Sequence, residues 1–158
     1  STGGCLVTSG FNTSMTFGMA ALVDDGPDGG HRDTLLYKRG SSGSYIAISW
    51  PYGNSTDLRF QFSSSAGLID LRYNGFNTST ERFVVSFSFD NVTNNYTLWK
   101  NWAEYDSGVA DYTGTFSSPQ ITFGQSYQRK MSHLAYWDAS VITTEEAAKL
   151  KAAWDAQT

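Results

Sequence analysis

The chain has 158 residues, the length of one domain built around a single core. Charged residues make up 16 % and aromatics 15 %, which excludes the charge-rich, aromatic-poor composition of a disordered chain. The net charge is −4 and Lys38-Arg39 and Arg129-Lys130 are isolated pairs. The basic stripe that tracks phosphates is therefore missing, and nucleic acid is not an expected partner.

The opening Ser1-Thr2-Gly3-Gly4 carries neither region of a signal peptide, and its serine would suit removal of an initiator methionine. Cys5 is the single cysteine, so it forms no internal disulfide and no Cys-based zinc site, and reads as a small buried hydrophobe. Strands at period two follow. Thr16–Val23 contains the longest apolar run, Met19-Ala20-Ala21-Leu22-Val23, far short of the ~20 residues of a membrane helix, so no membrane insertion is expected. Leu35–Lys38 and Tyr45–Trp50 come next. In Leu58–Ser63 the apolar side chains take one face and the polar ones the other. Leu68–Tyr73 runs into Asn74-Gly75, a pair that suits the positive φ of a type I′ hairpin turn. Phe83–Phe89, Tyr96–Trp102, Gln120–Phe123 and His133–Trp137 complete the set. Turn residues separate these strands at intervals of about 10 residues, the spacing of a sandwich or barrel.

The chain then changes character. Thr143-Thr144-Glu145-Glu146 is a capping box, with the Thr143 hydroxyl and the Glu146 carboxylate satisfying each other's backbone N–H. Ala147, Leu150 and Trp154 follow at helical spacing, with Lys149 and Lys151 toward the cation-favouring end. A helix over about 143–155, docked by Leu150 and Trp154, is predicted.

Tyr96-Thr97-Leu98-Trp99-Lys100-Asn101-Trp102, preceded by Phe83–Phe89 and a polar turn, resembles the "strand, turn, l-Y-v-N-G" hairpin of laminin-G-like domains in the concanavalin A-like lectin/glucanase superfamily. Ile121-Thr122-Phe123-Gly124 looks like that family's "l-x-I-G" strand. His133–Asp138 with Ile142-Thr143-Thr144-Glu145-Glu146 is similar to its closing strand and helix. Met15–Val23 and Leu35-Leu36-Tyr37-Lys38 resemble two early strands. Trp102 stands where the family has a turn glycine, one extra residue separates Trp137 from Ile142, and the early strand lacks its tryptophan. The resemblance implies an all-β fold over residues 1–158: a jelly-roll β-sandwich of two antiparallel sheets with one C-terminal α-helix. It also implies a first strand within Ser1–Thr8, leaving an edge that a neighbouring chain would cover.

The superfamily's glucanases carry Glu-x-Asp-x-x-Glu on one strand, where alternate residues share a face. Here Glu104-Tyr105-Asp106 lacks the second Glu and reads as a polar strand end running into an Asp-Ser-Gly turn. No G-x-S-x-G accompanies His31 or His133. Catalysis is not expected. Asp24, Asp25 and Asp28 lie in an Asp/Gly-rich loop that could offer oxygens to calcium, or be a solvated hairpin loop; no other cofactor is indicated.

Aromatics near turns are natural sugar platforms. Trp50 and Tyr52 form one candidate, with Trp50 beside Pro51 at an exposed strand end; Asn101, Trp102 and Tyr105 form the other. Trp99 and Trp102, three apart, would face opposite sides of a strand. Trp137 and Trp154 are assigned to the core. Asn12, Asn54, Asn77, Asn91 and Asn95 begin Asn-x-Ser/Thr sequons, which a chain rich in these residues also produces by chance.

The expectation is a non-catalytic lectin-like recognition or surface-decoration module. Its partners would be proteins of a larger assembly or surface glycans, and its setting a virus or phage particle. The alternatives are a carbohydrate-binding domain of a secreted or cell-surface protein, and a small glycosidase acting through Glu104 and Asp106.

Overall fold

The computed structural model describes residues 6–9, 16–24, 33–39, 44–51, 56–64, 67–78, 80–110, 112, 120–125 and 131–156. Eleven strands and one helix occur among them: β1 (Leu6–Ser9), β2 (Phe17–Val23), β3 (Asp33–Arg39), β4 (Tyr45–Trp50), β5 (Leu58–Ser64), β6 (Gly67–Tyr73), β7 (Phe83–Asp90), β8 (Asn95–Lys100), β9 (Ala103–Val109), β10 (Gln120–Gln125), β11 (Met131–Asp138) and α1 (Thr144–Asp155). The first sheet runs β1-β10-β3-β4-β5-β6 and the second β11-β2-β7-β8-β9. Every recorded pairing is antiparallel. The two sheets form a jelly-roll β-sandwich, as expected.

Alternation builds the core. Leu58, Phe60 and Phe62 of β5 point inward and are fully buried, whereas Arg59 points outward to a bidentate pair with Asp70 of β6 at 2.7 Å. From the opposite sheet, Phe83, Val85, Phe87 and Phe89 of β7 enter the same core. Phe60 stacks on Phe87 with 4.1 Å between ring centres. Such contacts combine large apolar burial with ring geometry that holds the sheets in register.

A second apolar layer lies outside the second sheet. Ala20 and Leu22 of β2 and Val84 of β7, on the outer face, join Ile142 and Trp154, with Trp99, Trp102, Trp137, Ala147 and Leu150 packed around them. This is why all seven residues of β2 are buried: the core covers one face and α1 with its leading segment covers the other. Both halves of the capping box form at Thr143 and Glu146, and hydrogen bonds from Thr143 hold the Glu146 carboxyl below its usual range. Lys149 and Lys151 pair with Glu145 and Asp155, respectively, one helical turn away, so they serve side chains rather than the C-terminal carbonyls.

Three sequence expectations change. Asn74-Gly75 does not join paired strands: β6 and β7 belong to different sheets, and only Gly75 takes a positive φ, 66°. The turn with two positive-φ residues is Asn101-Trp102, at 51° and 64°, linking the paired strands β8 and β9. The predicted strand Tyr96–Trp102 therefore stops at Lys100, and the polar stretch after the turn is a full strand, β9.

Lys38 is the unexpected interior residue. It is 0 % exposed, with Nζ 3.4 Å from the Tyr136 hydroxyl and 5.9 Å from the centre of the Phe17 ring. Burial pulls its pKa down to about 8, against the opposing pull of the Asp138 charge.

Two predictions follow from this packing. A Cβ on Gly18 would stand 2.6 Å from Ile142 Cγ1 and 3.0 Å from its backbone nitrogen, so Gly18→Ala should lower stability in urea unfolding by about 1–3 kcal/mol. Lys38 has a folded pKa below its unfolded value, so between about pH 8 and the unfolded value near 10.4 the unfolded state binds more protons and stability rises with pH. The melting temperature of the parent should accordingly rise relative to that of Lys38→Met from pH 7 to about pH 9.5.

Candidate ligand-binding groove

The register of β9 decides which side chains meet. Leu98 lies opposite Asp106 and Trp99 opposite Glu104, so Tyr105 is an extra residue in a β-bulge. Without the bulge Glu104 and Asp106 would share a face; with it they part. Asp106 faces the inside, opposite fully buried Leu98, and its Oδ2 accepts hydrogen bonds from the hydroxyls of Tyr73 (2.8 Å) and Tyr96 (3.0 Å). This joins β6 and β9, the adjacent edges of the two sheets. Burial and the hydrogen bond to Asp106 raise the Tyr73 pKa far above the usual phenol range, so its proton stays in place. Glu104 faces outward beside Trp99, where its Oε1 accepts from Ser107 Oγ at 2.9 Å.

Outside the second sheet, between β7–β9 and the segment leading into α1, lies a groove of about 590 Å³. Its floor is formed by Ser88, Asp90, Asn95, Thr97, Trp99 and Glu104, and its wall by Val141 to Thr144. The wall is fixed by the Ile142 N–H, which donates to Ser88 Oγ at 2.8 Å. Asp90 is held by the turn it begins, accepting from the Val92 N–H (2.9 Å) and the Thr93 hydroxyl (3.0 Å). An aromatic surface, hydroxyls and two carboxylates thus converge on one open concavity.

The described residues singled out from the sequence as sugar platforms or calcium ligands do not line this groove. Trp50 is not an exposed platform: it is 0 % exposed, donates Nε1–H to Asn77 Oδ1 at 2.8 Å, and meets the Phe83 ring edge-on. A strand end beside proline has the local look of an open position, but Asn77 and Phe83 pack against this one. Tyr52, Asp25 and Asp28 lie outside the described residues. Asp24 pairs with Arg82 at 2.9 Å, and no cluster of three metal-ligating side chains occurs among the described residues. Asn101 serves its turn, exchanging hydrogen bonds with the backbone of Val84 at 2.9 Å through both N–H and Oδ1. Trp102 packs edge-on against Trp154 at 5.3 Å. The three-residue spacing of Trp99 and Trp102 would put them on opposite sides of a continuous strand, yet both join the apolar layer under α1, because the turn intervenes. Tyr105 is 44 % exposed and meets the Phe76 ring at 4.9 Å.

Trp137 and Leu150 flank the outer apolar layer and buried Trp154 lies within it. Among the sequons, Asn77 is 4 % exposed and engaged with Trp50, so it cannot take a glycan in the folded chain. Asn95 is exposed. The groove residues left a trace in the sequence: Ser88 and Asp90, then Asn95, Thr97 and Trp99, are the alternate, non-core positions of two paired strands.

No family model matches the chain, and no curated protein sequence matches it. Among solved structures it is similar to the botulinum neurotoxin serotype D binding domain, with 12 % identity and a TM-score of 0.67, covering 98 % of this chain and 41 % of that one. It is similar to the Ruminococcus gnavus IT-sialidase CBM40, with 9 % identity and a TM-score of 0.65, covering 88 % and 84 %. It is also similar to the SAP-like pentraxin of Limulus polyphemus, with 9 % identity and a TM-score of 0.65, covering 93 % and 75 %. The chain spans about two fifths of the toxin domain's length. At these identities the likeness is one of fold, a jelly-roll β-sandwich.

The bulge makes a paired prediction. Asp106→Ala leaves two tyrosyl hydroxyls without their acceptor and should cost about 2 kcal/mol in chemical unfolding. Glu104→Ala, on the outer face, should stay within about 0.5 kcal/mol of the parent.

Proposed function

We propose that this chain is a non-catalytic, lectin-like recognition module of the laminin-G-like kind that takes a glycan in the groove outside the second sheet. The observation that carries the reading is the convergence of Trp99, Thr97 and Glu104 on one open groove. A pyranose offers a C–H face to an aromatic ring and hydroxyls to carboxylates and threonines, and recognition sites combine apolar surface with a few placed polar groups in this way. Support comes from the companions of the fold: one is called a toxin binding domain and another a CBM40. A small glycosidase fits less well, since retaining hydrolysis needs two carboxyls about 5–5.5 Å apart on either side of one bond, and the bulge sends Glu104 and Asp106 to opposite faces. Of the earlier platform residues, Tyr105 remains a candidate contact at the sheet edge.

The setting in this reading is the surface of a larger assembly, a virus or phage particle, with the module contacting host glycans. Co-sedimentation with intact particles is the expected result there; a chain found only free in solution would remove that setting. For the binding itself, the chain should retain glycans on an array of oligosaccharides with and without a calcium chelator. Trp99→Ala, shown by circular dichroism to be folded, should weaken binding by about tenfold or more, as loss of an aromatic anchor does. Retention of every glycan at parental strength by the folded variant would move the site away from the groove.

A further inference from the structure

The charges that line the groove specify its ligand further, on the reading that glycans bind there. Among the described residues, Asp90 and Glu104 are the only charged ones that line it, and no Lys or Arg does. The wall continues into the first turn of α1, which carries Glu145 and Glu146. The nearest cation on that helix, Lys149, is paired with Glu145 at 2.5 Å. Four further cations among the described residues do not line the groove and are engaged elsewhere: Arg59 and Arg72 share Asp70 in the first sheet, Arg82 pairs with Asp24, and Lys100 pairs with Glu81 and donates to the Phe76 carbonyl.

We infer that the groove selects uncharged glycans and rejects sialylated, sulfated and uronate-bearing ones. The carboxylates do both parts of the work. An ionised carboxylate only accepts hydrogen bonds. It therefore suits sugar hydroxyls, which can donate, and gives a ligand carboxylate or sulfate nothing to pair with. Glu104 is the more available of the two: Ser107 occupies Oε1, and Oε2 has no hydrogen-bond partner among the described residues. Two carboxylates at a groove with no basic lining side chain among the described residues also raise a field that an anionic sugar must enter at a cost, and specificity arises as much from such repulsion as from attraction. Trp99 supplies the attraction common to every pyranose, so charge is what discriminates among them.

The test compares neutral cores with their acidic derivatives. Titration calorimetry would use N-acetyllactosamine, mannotriose and cellotriose, with the sialylated and sulfated forms of the first. Wild type should bind at least one neutral core and lose about tenfold or more in affinity when the acidic group is added. That penalty should shrink on raising the salt from about 0.05 to about 0.5 M, since screening acts on exposed charges. Glu104→Gln should narrow the gap between neutral and acidic forms, and Glu104→Lys should close or reverse it. If an acidic form binds wild type as tightly as its neutral core, and Trp99→Ala abolishes both, the charge selectivity is overturned while the glycan-binding site stands. If neither form of any core binds, the proposed function falls and the selectivity with it.

Discussion

The organising constraint is that two strands of the second sheet, β2 and β7, must be covered on both faces. A strand that is half solvated needs alternation only on its inner side; β2 and β7 face the core on one side and α1 with Ile142 on the other. Close approach of that segment requires small groups on the outer face, which Gly18, Ala20, Ser86 and Ser88 provide. Ser88 repays the approach with a hydrogen bond to the Ile142 N–H. The Ser86 hydroxyl is buried with no hydrogen-bond partner among the described residues, a local cost of the same close packing. Where this cover ends, over β8 and β9, the sheet's outer face is open and the groove begins. The groove exists because the helix shields only part of the sheet.

A single extra residue gives β9 its two roles. Tyr105 offsets the pleat, so Asp106 ties together the adjacent edges of the two sheets through Tyr73 and Tyr96, while Glu104 is delivered to the opposite side. Trp102, in a backbone conformation that bulky residues seldom adopt, is held by its contact with Trp154. The turn, the bulge and the helix thus form one mechanical unit: the turn places Trp102 under α1, and the strand leaving it places Glu104 beside Trp99.

Much of this was legible from residue pattern. Period-two alternation located most strands within a residue or two at each end, and the Thr143–Glu146 spacing located the helix start. The errors share a cause. Asn74-Gly75 has the local chemistry of a hairpin, yet whether flanking strands pair is decided by the sheet each joins. Trp50 beside Pro51 has the local appearance of a strand terminus, yet its exposure is set by Asn77 and Phe83, distant in sequence by comparison with its neighbours. The polar run Ala103–Val109 lacks apolar alternation because it forms an edge strand, whose side chains need little burial.

The layered all-β architecture, the capped helix and the lack of a basic stripe are written in the order of the residues, because hydrophobic periodicity, capping geometry and charge spacing are properties of neighbouring residues. That Lys38 lies inside, that Glu104 and Asp106 part company, and that Trp99 borders an open groove while Trp50 does not are outcomes of the folded arrangement. Each of these depends on cross-strand register and on which surfaces another element covers, and those are settled by contacts between residues far apart along the chain.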